Sequence, residues 1–109
     1  MAQEKTFENK IKKWLKEHGH WYVKYWAGSK FTKTGIPDLL CCVNGYFVAI
    51  EVKAQNGTPS ELQEHTVNEI RTAGGFAVIV YPSGWPKLKT FLDDLGHDVF
   101  NRDAELIFK

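Results

Sequence analysis

The chain has 109 residues, of which 43% are hydrophobic and 25% charged, and its net charge is +1. This length predicts one domain, and the near balance of charge excludes gross disorder and a polybasic or acidic tail. No apolar run approaches the roughly 20 residues that a membrane span needs.

The first predicted element is an amphipathic helix that precedes a strand. Thr6 is a plausible N-cap, and Gly19 follows the last turn as a stop signal. Residues 20–26 are aromatic and β-branched, which is typical of a strand. One apolar stripe with a 3.6-residue period defines the helix, and it consists of Phe7, Ile11, Trp14, Leu15 and His18.

A β-hairpin is the next predicted element. Two apolar runs, 38–43 and 46–53, flank Asn44-Gly45, which is the strongest short-range hairpin signal. A two-residue turn places Val43 opposite Tyr46. By continuation, Asp38 lies opposite Glu51, because the sum of paired residue numbers is constant along an antiparallel ladder.

The pattern in the second half of the sequence predicts a helix, a strand and a third helix. Ser60 or Thr58 caps the second helix, whose apolar face starts at Leu62. Residues 76–81 form a buried strand, and the third helix ends near Gly96. The tail from 97 onward fits a strand, a short helix or packed coil. The order α-β-β-β-α-β-α predicts an α/β fold in which helices flank a mixed sheet.

Charge and cysteine usage bear on partner and compartment. Residues 1–54 carry a net charge of +4 and residues 55–109 a net charge of −3. The basic half favours a polyanionic partner, although a solvated helix face explains it better on its own. Cys41 and Cys42 are adjacent and can hardly bridge each other, which favours a reducing compartment. Without an apolar signal core, we expect a cytoplasmic location, in a host cell if the chain is viral.

Three charged residues converge at the open end of the predicted hairpin. Asp38 and Glu51 share a face, and Lys53 lies on that face too because the side-chain period of a strand is two. Opposed carboxylates repel each other, and a hard divalent cation such as Mg²⁺ relieves that repulsion. A lysine beside such a cation can stabilise charge on a phosphate, which is the chemistry of phosphodiester hydrolysis. From spacing alone, a structural ionic cluster is an equally good explanation.

The longer pattern resembles a nuclease family. The string GIPD, a hairpin and then EVK resemble the core of PD-(D/E)XK nucleases. A glutamate on the first helix, a glutamine after the motif and the strand GFAVIV make the chain similar to a stand-alone VRR-NUC domain. The resemblance covers about Phe7 to Val80. It implies a restriction-endonuclease-like fold in one domain over residues 1–109, with the motifs in 7–81 and a C-terminal helix and tail in 84–109.

The resemblance also implies roles for individual residues. The metal ligands would be Asp38, Glu51 and the Val52 carbonyl, with Glu8 as a possible fourth. Lys53 would be the catalytic lysine, and the catalytic set implied by the family is Asp38, Glu51, Lys53, Gln63 and Glu8. The expected cofactor is Mg²⁺, for which Mn²⁺ would substitute.

Local arguments for the two flanking residues are weaker. Glu8 lies at the edge of the buried helical stripe, where its carboxylate could reach the sheet end. A first-turn acid that favours the helix dipole explains it as well. Gln63 lies in the first turn of its helix and could contact water or phosphate near Lys53. A surface polar residue is the alternative.

The loop before Asp38 carries candidate DNA contacts. Its lysines and hydroxyls could hold phosphates beside the metal. A mobile polar loop is the alternative, but the position next to the site favours function. These candidates are Ser29, Lys30, Thr32, Lys33 and Thr34.

Together these features favour a metal-dependent DNA endonuclease, selective for branched DNA such as four-way junctions. The alternative is a non-catalytic nucleic-acid-binding or assembly module that keeps the nuclease fold. Neither a P-loop nor a dinucleotide fingerprint is present, so no nucleotide cofactor is expected.

The resemblance further implies a homodimer, since stand-alone members resemble Holliday-junction resolvases, which work as dimers. Exposed aromatic residues and the apolar tail are the candidate interface, because aromatics are enriched in interface cores. The alternative is a monomer whose core these residues complete. The aromatic candidates are Trp21, Tyr22, Tyr25, Trp26, Trp85 and Phe100.

Overall fold

The structure is a computed structural model, and it describes residues 2–26, 34–96 and 107–109. These ranges contain three α-helices, five strands and a short 3₁₀ helix at Pro82–Gly84. None of the helices in these ranges is long and apolar enough to cross a membrane. The elements are α1 (Ala2–Glu17), β1 (Trp21–Lys24), β2 (Leu39–Val43), β3 (Tyr46–Val52), α2 (Glu61–Thr72), β4 (Phe76–Val80), α3 (Trp85–Asp94) and β5 (Ile107–Phe108).

The strands form one mixed sheet in the order β1-β2-β3-β4-β5. The first three strands pair antiparallel, whereas β3, β4 and β5 run parallel to one another. The β3–α2–β4 connection is a strand–helix–strand crossover, which parallel neighbours require. The predicted α/β architecture, a mixed sheet flanked by helices, is confirmed.

The hairpin between β2 and β3 has the predicted turn and register. Asn44 and Gly45 both have positive φ angles, of 51° and 89°, which suits a tight two-residue turn. Val43 pairs with Tyr46, and the ladder continues to Leu39 opposite Ile50. This register fixes which side chains meet at the open end of the hairpin.

Two apolar cores lie on opposite faces of the sheet. The larger core joins α1 and α3 to one face, and it includes Phe7, Ile11 and Leu15 from α1. The smaller core lies under α2, where Val67 packs on Ala77 and neighbouring residues. Because α2 covers only part of its face, Trp21, Val23 and Phe47 stay exposed there.

Several details differ from the expectations drawn from the sequence. The first helix begins at Ala2, so Thr6 lies inside it and is not its N-cap. Gly19, with φ 75°, follows the helix end as predicted. Leu62 is exposed, and the buried side of α2 starts one turn later than predicted, at Thr66 and Val67.

Trp85 and Phe108 lie in the chain's own core, whereas Phe100 lies outside the described residues. Trp85 is buried, with its ring edge-on to Phe7 and Trp14, so its assignment to an exposed interface was wrong. Ile107 and Phe108 form the short strand β5, which adds a parallel fifth strand beside β4. Phe108 is buried in the larger core, so this part of the tail is not a free apolar surface.

Candidate active site

The candidate site lies at the open end of the β2–β3 hairpin. Asp38 immediately precedes β2, and its carbonyl accepts a hydrogen bond of 2.9 Å from the Tyr25 N–H. The Asp38 side chain accepts a second bond, of 2.8 Å, from the Val52 N–H to Oδ2. The Tyr25 N–H therefore fixes the backbone of Asp38, and the Val52 N–H holds its carboxylate in place.

Glu51 is a buried carboxylate on β3, with only 2% of its surface exposed. Its Oε2 accepts a 2.9 Å bond from Gln63 Nε2 and lies 3.3 Å from Lys53 Nζ. Its Oε1 is buried and has no hydrogen-bond partner. Burial, and then the Asp38 charge, raise the pKa of Glu51 to about 7 despite the opposing charge of Lys53. A buried carboxylate with one unpartnered oxygen is well suited to receive a cation.

Gln63 is oriented by the start of α2. A capping box forms there: the Gln63 N–H donates to Ser60 Oγ at 3.1 Å, and the Ser60 N–H donates to Gln63 Oε1 at 2.9 Å. With Oε1 occupied by Ser60, the Nε2 of the same amide is directed at Glu51. The helix cap therefore also fixes a donor to the buried carboxylate.

Glu8 joins the site through an ion-paired cluster. It is 4% exposed on α1, and Lys24 Nζ from β1 donates to its Oε1 at 2.8 Å. Lys12 Nζ lies 3.0 Å from its other oxygen. Burial opposes ionisation, but the bonds and charges of Lys24 and Lys12 leave the pKa of Glu8 below its usual value.

Lys24 bridges Glu8 to the catalytic candidates, and sequence reasoning missed it. Its Nζ also donates to Asp38 Oδ1 at 3.1 Å. Burial tends to lower the pKa of Lys24, but bonding to Glu8 and the charge of Asp38 raise it above its usual value. The sequence signal that could have identified Lys24 is its place among aromatic residues on a predicted strand, at the end of that strand nearest the GIPD motif.

The structure thus brings most of the predicted site residues together. Continuous contacts link Glu8 through Lys24 to Asp38, and link Glu51 to Lys53 and Gln63. The two parts meet where Asp38 accepts from the backbone beside Glu51. Thr34 is exposed. The other loop candidates, Ser29, Lys30, Thr32 and Lys33, lie outside the described residues.

The carboxylates that the structure brings together at the site belong to Asp38, Glu51 and Glu8. Within the described ranges, no group of three or more His, Cys, Asp or Glu side chains is arranged to hold a metal ion. Mg²⁺ needs only one or two carboxylates besides waters and substrate oxygens. The pair Asp38 and Glu51, with the unpartnered Oε1, fits that requirement.

This mixed sheet, with an acid before β2 and an acid and a lysine at the end of β3, defines a nuclease of the restriction-endonuclease-like PD-(D/E)XK class. The family model described as archaeal Holliday junction resolvase (Hjc) matches residues 2–79. The chain belongs to that family. The matched range includes all the elements that carry the site, from α1 through β4.

No match was found in the search of curated proteins or in that of solved structures.

Proposed function

We propose that this chain is a metal-dependent deoxyribonuclease that cleaves phosphodiester bonds endonucleolytically in branched DNA such as four-way junctions. The observation that carries this proposal is the buried Glu51 carboxylate beside Asp38 and Lys53, with Oε1 left without a donor. A purely structural ion cluster would satisfy both oxygens of its most buried member. Membership of the resolvase family favours a junction as the substrate.

The proposed metal is Mg²⁺, with Mn²⁺ as a substitute. Asp38, Glu51 and the Val52 carbonyl would hold it, and Glu8 would serve as a further ligand if its lysine partners moved away. When bound, such an ion supplies an activated water and neutralises charge on the phosphate. The remaining steps fall to side chains of this chain.

Lys53 and Gln63 have distinct roles in this proposal. Lys53 places a positive charge near the scissile phosphate, where negative charge increases in the transition state. Gln63 holds the Glu51 carboxylate through a 2.9 Å hydrogen bond and is itself fixed by the helix cap. Lys53 would therefore act on the reacting phosphate, and Gln63 would position the acid that binds the metal.

The loop before Asp38 is the proposed contact with the DNA backbone. Its lysines and hydroxyl groups would bind phosphates flanking the cleaved bond, since phosphate contacts position a nucleic acid without reading its sequence. The proposed contacts are Ser29, Lys30, Thr32, Lys33 and Thr34.

We also propose that the active form is a homodimer. Trp21, Cys42 and Phe47 are directly paired neighbours on one sheet face, and all three are exposed. Trp21 and Phe47 expose 64% and 47% of their surface. A row of exposed apolar side chains on a sheet face favours an interface with another protein surface, and a two-fold dimer would present two sites to two strands. Light scattering at micromolar concentration tests the proposed homodimer, and a mass near 12.5 kDa would rule it out.

Three further assignments remain proposals. Residues 1–109 form one domain, since Phe108 at the far end packs in the same core as Phe7 and Ile11. The VRR-NUC resemblance is a finer assignment within the PD-(D/E)XK class. A cytoplasmic location suits an enzyme that acts on DNA, and the cysteines of the chain, Cys41 and Cys42, are both unbridged.

The decisive experiment is a panel of end-labelled DNA substrates: single strand, linear duplex, flap, splayed arm and four-way junction. Each is incubated with Mg²⁺, with Mn²⁺ and with EDTA. We expect internal cleavage of the junction in both metals, weaker cleavage of the linear duplex and none in EDTA.

Two outcomes would contradict separate parts of the proposal. Undiminished cleavage in EDTA would contradict the proposed metal dependence. Equal cleavage of the junction and the linear duplex would contradict the proposed selectivity for branched DNA. Tight junction binding without cleavage in either metal would support the non-catalytic module instead.

A further inference from the structure

Lys24 occupies the space between two acids of the site. Its Nζ lies 2.8 Å from Glu8 Oε1 and 3.1 Å from Asp38 Oδ1. We propose that Lys24 is an internal counter-ion that holds the site together without metal and is displaced when a divalent cation binds. This inference rests on the metal site of the proposed function.

The charges around Lys24 place it in competition with a cation bound at Asp38. Without metal, the ammonium offsets the repulsion between the Glu8 and Asp38 carboxylates, both of which are poorly exposed. A divalent cation on Asp38 would place two positive centres on the same carboxylate. Like charges a few ångströms apart in a poorly solvated site repel strongly. The cation and the lysine therefore compete for Asp38.

Open space adjoins the present position of the Lys24 side chain. A cavity of about 160 Å³ adjoins Lys24, and it is lined by Glu4, Lys5, Glu8 and Trp26 as well as by Lys24 itself. In its present position Lys24 Nζ is already 5.3 Å from the centre of the exposed Trp26 ring, within the range of a cation–π contact, and Lys5 Nζ lies 5.8 Å from the same ring. The flexible lysine stem can move its charge into this cavity while its backbone stays paired in β1.

Lys12 provides a matched comparison on the same carboxylate. Lys12 lies on α1, and its Nζ is 3.0 Å from Glu8 Oε2. In the salt bridges of the site, Asp38 pairs with Lys24 and not with Lys12. Removing either lysine deletes one positive charge from the cluster. Only the removal of Lys24 frees an oxygen of Asp38, so the two substitutions separate direct competition from a general charge effect.

The first test measures Ca²⁺ affinity by calorimetry in the wild type, Lys24→Met and Lys12→Met, because Ca²⁺ is expected to bind without supporting turnover. We expect Lys24→Met to bind Ca²⁺ about tenfold more tightly and Lys12→Met about twofold, since only the former loses a direct competitor. Equal gains in the two variants, or weaker binding by Lys24→Met, would overturn the inference.

The second test uses the wild type and does not depend on a variant's folding. Lysines are acetylated briefly with acetic anhydride, with and without Ca²⁺, and the modified residues are quantified by mass spectrometry. We expect the labelling of Lys24 to rise several-fold on Ca²⁺ addition while that of Lys12 stays constant. Unchanged or reduced labelling of Lys24 in protein that binds Ca²⁺ would overturn this inference alone. Absence of Ca²⁺ binding in the wild type and in both variants would overturn the proposed metal site as well.

Discussion

The two ends of the β2–β3 hairpin are built in opposite ways. At the turn end, Asn44 and Gly45 adopt the backbone angles that they tolerate best, and Asn44 Nδ2 donates to the Leu95 carbonyl at 2.9 Å. At the open end, the buried Glu51 lies near Asp38 and has an oxygen without a partner. The residues at the turn end favour the stability of the fold, whereas the buried carboxylate at the open end opposes it.

This difference separates the residues that make the fold from those that are proposed to perform its chemistry. Natural sequences are locally consistent where only stability matters, and they retain conflicts at functional sites. Substitutions at the turn end should therefore lower stability and spare the rate of cleavage. Substitutions at the open end should do the reverse, and the four predictions below test this contrast from the largest effect to the smallest.

Lys53→Ala is expected to have the largest effect on cleavage. The rate should fall by about 10²–10³, because one electrostatic stabiliser of the transition state is removed. Junction affinity should change much less, since the charge acts mainly in the transition state. Single-turnover cleavage and a binding titration measure the two effects, with the exposed Lys13→Ala as a control. Full activity of Lys53→Ala would refute the role of this lysine.

Gly45→Ala should lower stability at the turn end. A Cβ at Gly45 would meet nothing within 4 Å, so the cost comes only from holding alanine at a φ of 89°. That cost is about 1–2 kcal/mol for a left-handed residue. Urea unfolding measures it, and the rate per folded molecule should not change.

Gly19→Ala is the matched control for that substitution. Gly19 has a φ of 75°, and its Cβ would also meet open space. The two variants should lose similar stability. A loss of cleavage rate in Gly45→Ala alone would contradict the idea that the turn end affects only stability.

Glu51→Gln should increase the stability of the protein, although it removes a carboxylate of the proposed metal site. The substitution removes a buried charge but keeps an oxygen that can accept the hydrogen bond from Gln63. In EDTA at pH 8, we expect a gain of about 1 kcal/mol, as is common when an active-site conflict is removed. Thermal unfolding measures it against the exposed Glu17→Gln, which should change stability by less than about 0.5 kcal/mol. A large loss of stability would show that this carboxylate supports the fold.

The smallest effect concerns two thiols halfway along the hairpin. Cys41 faces the larger core, and burial, with a smaller contribution from Cys42, raises its pKa to about 12. Cys42 is exposed. Iodoacetamide at pH 8 should label one thiol per chain, Cys42, with little change in stability, and Cys42→Ser should abolish this labelling in the folded protein. Rapid labelling of Cys41 under native conditions would contradict the strand's orientation.

The sequence predicted the hairpin and the residues at its open end because both depend on local rules. Asn44-Gly45 fixes the register by itself, and counting outward from the turn brings Asp38, Glu51 and Lys53 to the same end. The cap of α2 was predictable in the same way, from Ser60 followed three residues later by Gln63. In each case, the interacting residues lie within about 15 positions of one another along the chain.

Features that depend on distant parts of the chain were not predictable. No short turn joins β1 to β2, so nothing local placed Lys24 beside Asp38. The strand at Ile107–Phe108 pairs with β4 across α3 and the segment that follows it, and two residues carry too little pattern to identify a strand. Trp85 was misassigned for the same reason, because its burial depends on α1, about 75 residues earlier. The polar first turn of α1 lacks the apolar periodicity that would have extended the helix to Ala2.

The capping box of α2 has a consequence for motion at the site. The first turn of a helix is where fraying begins, and hydrogen exchange of its amides reports how often it opens. Each opening that breaks the Ser60–Gln63 pair also frees the amide that holds Glu51. The lifetime of one helix terminus therefore limits how long the buried carboxylate stays aligned, and Ser60, which does not contact Glu51, contributes to the rigidity of the site.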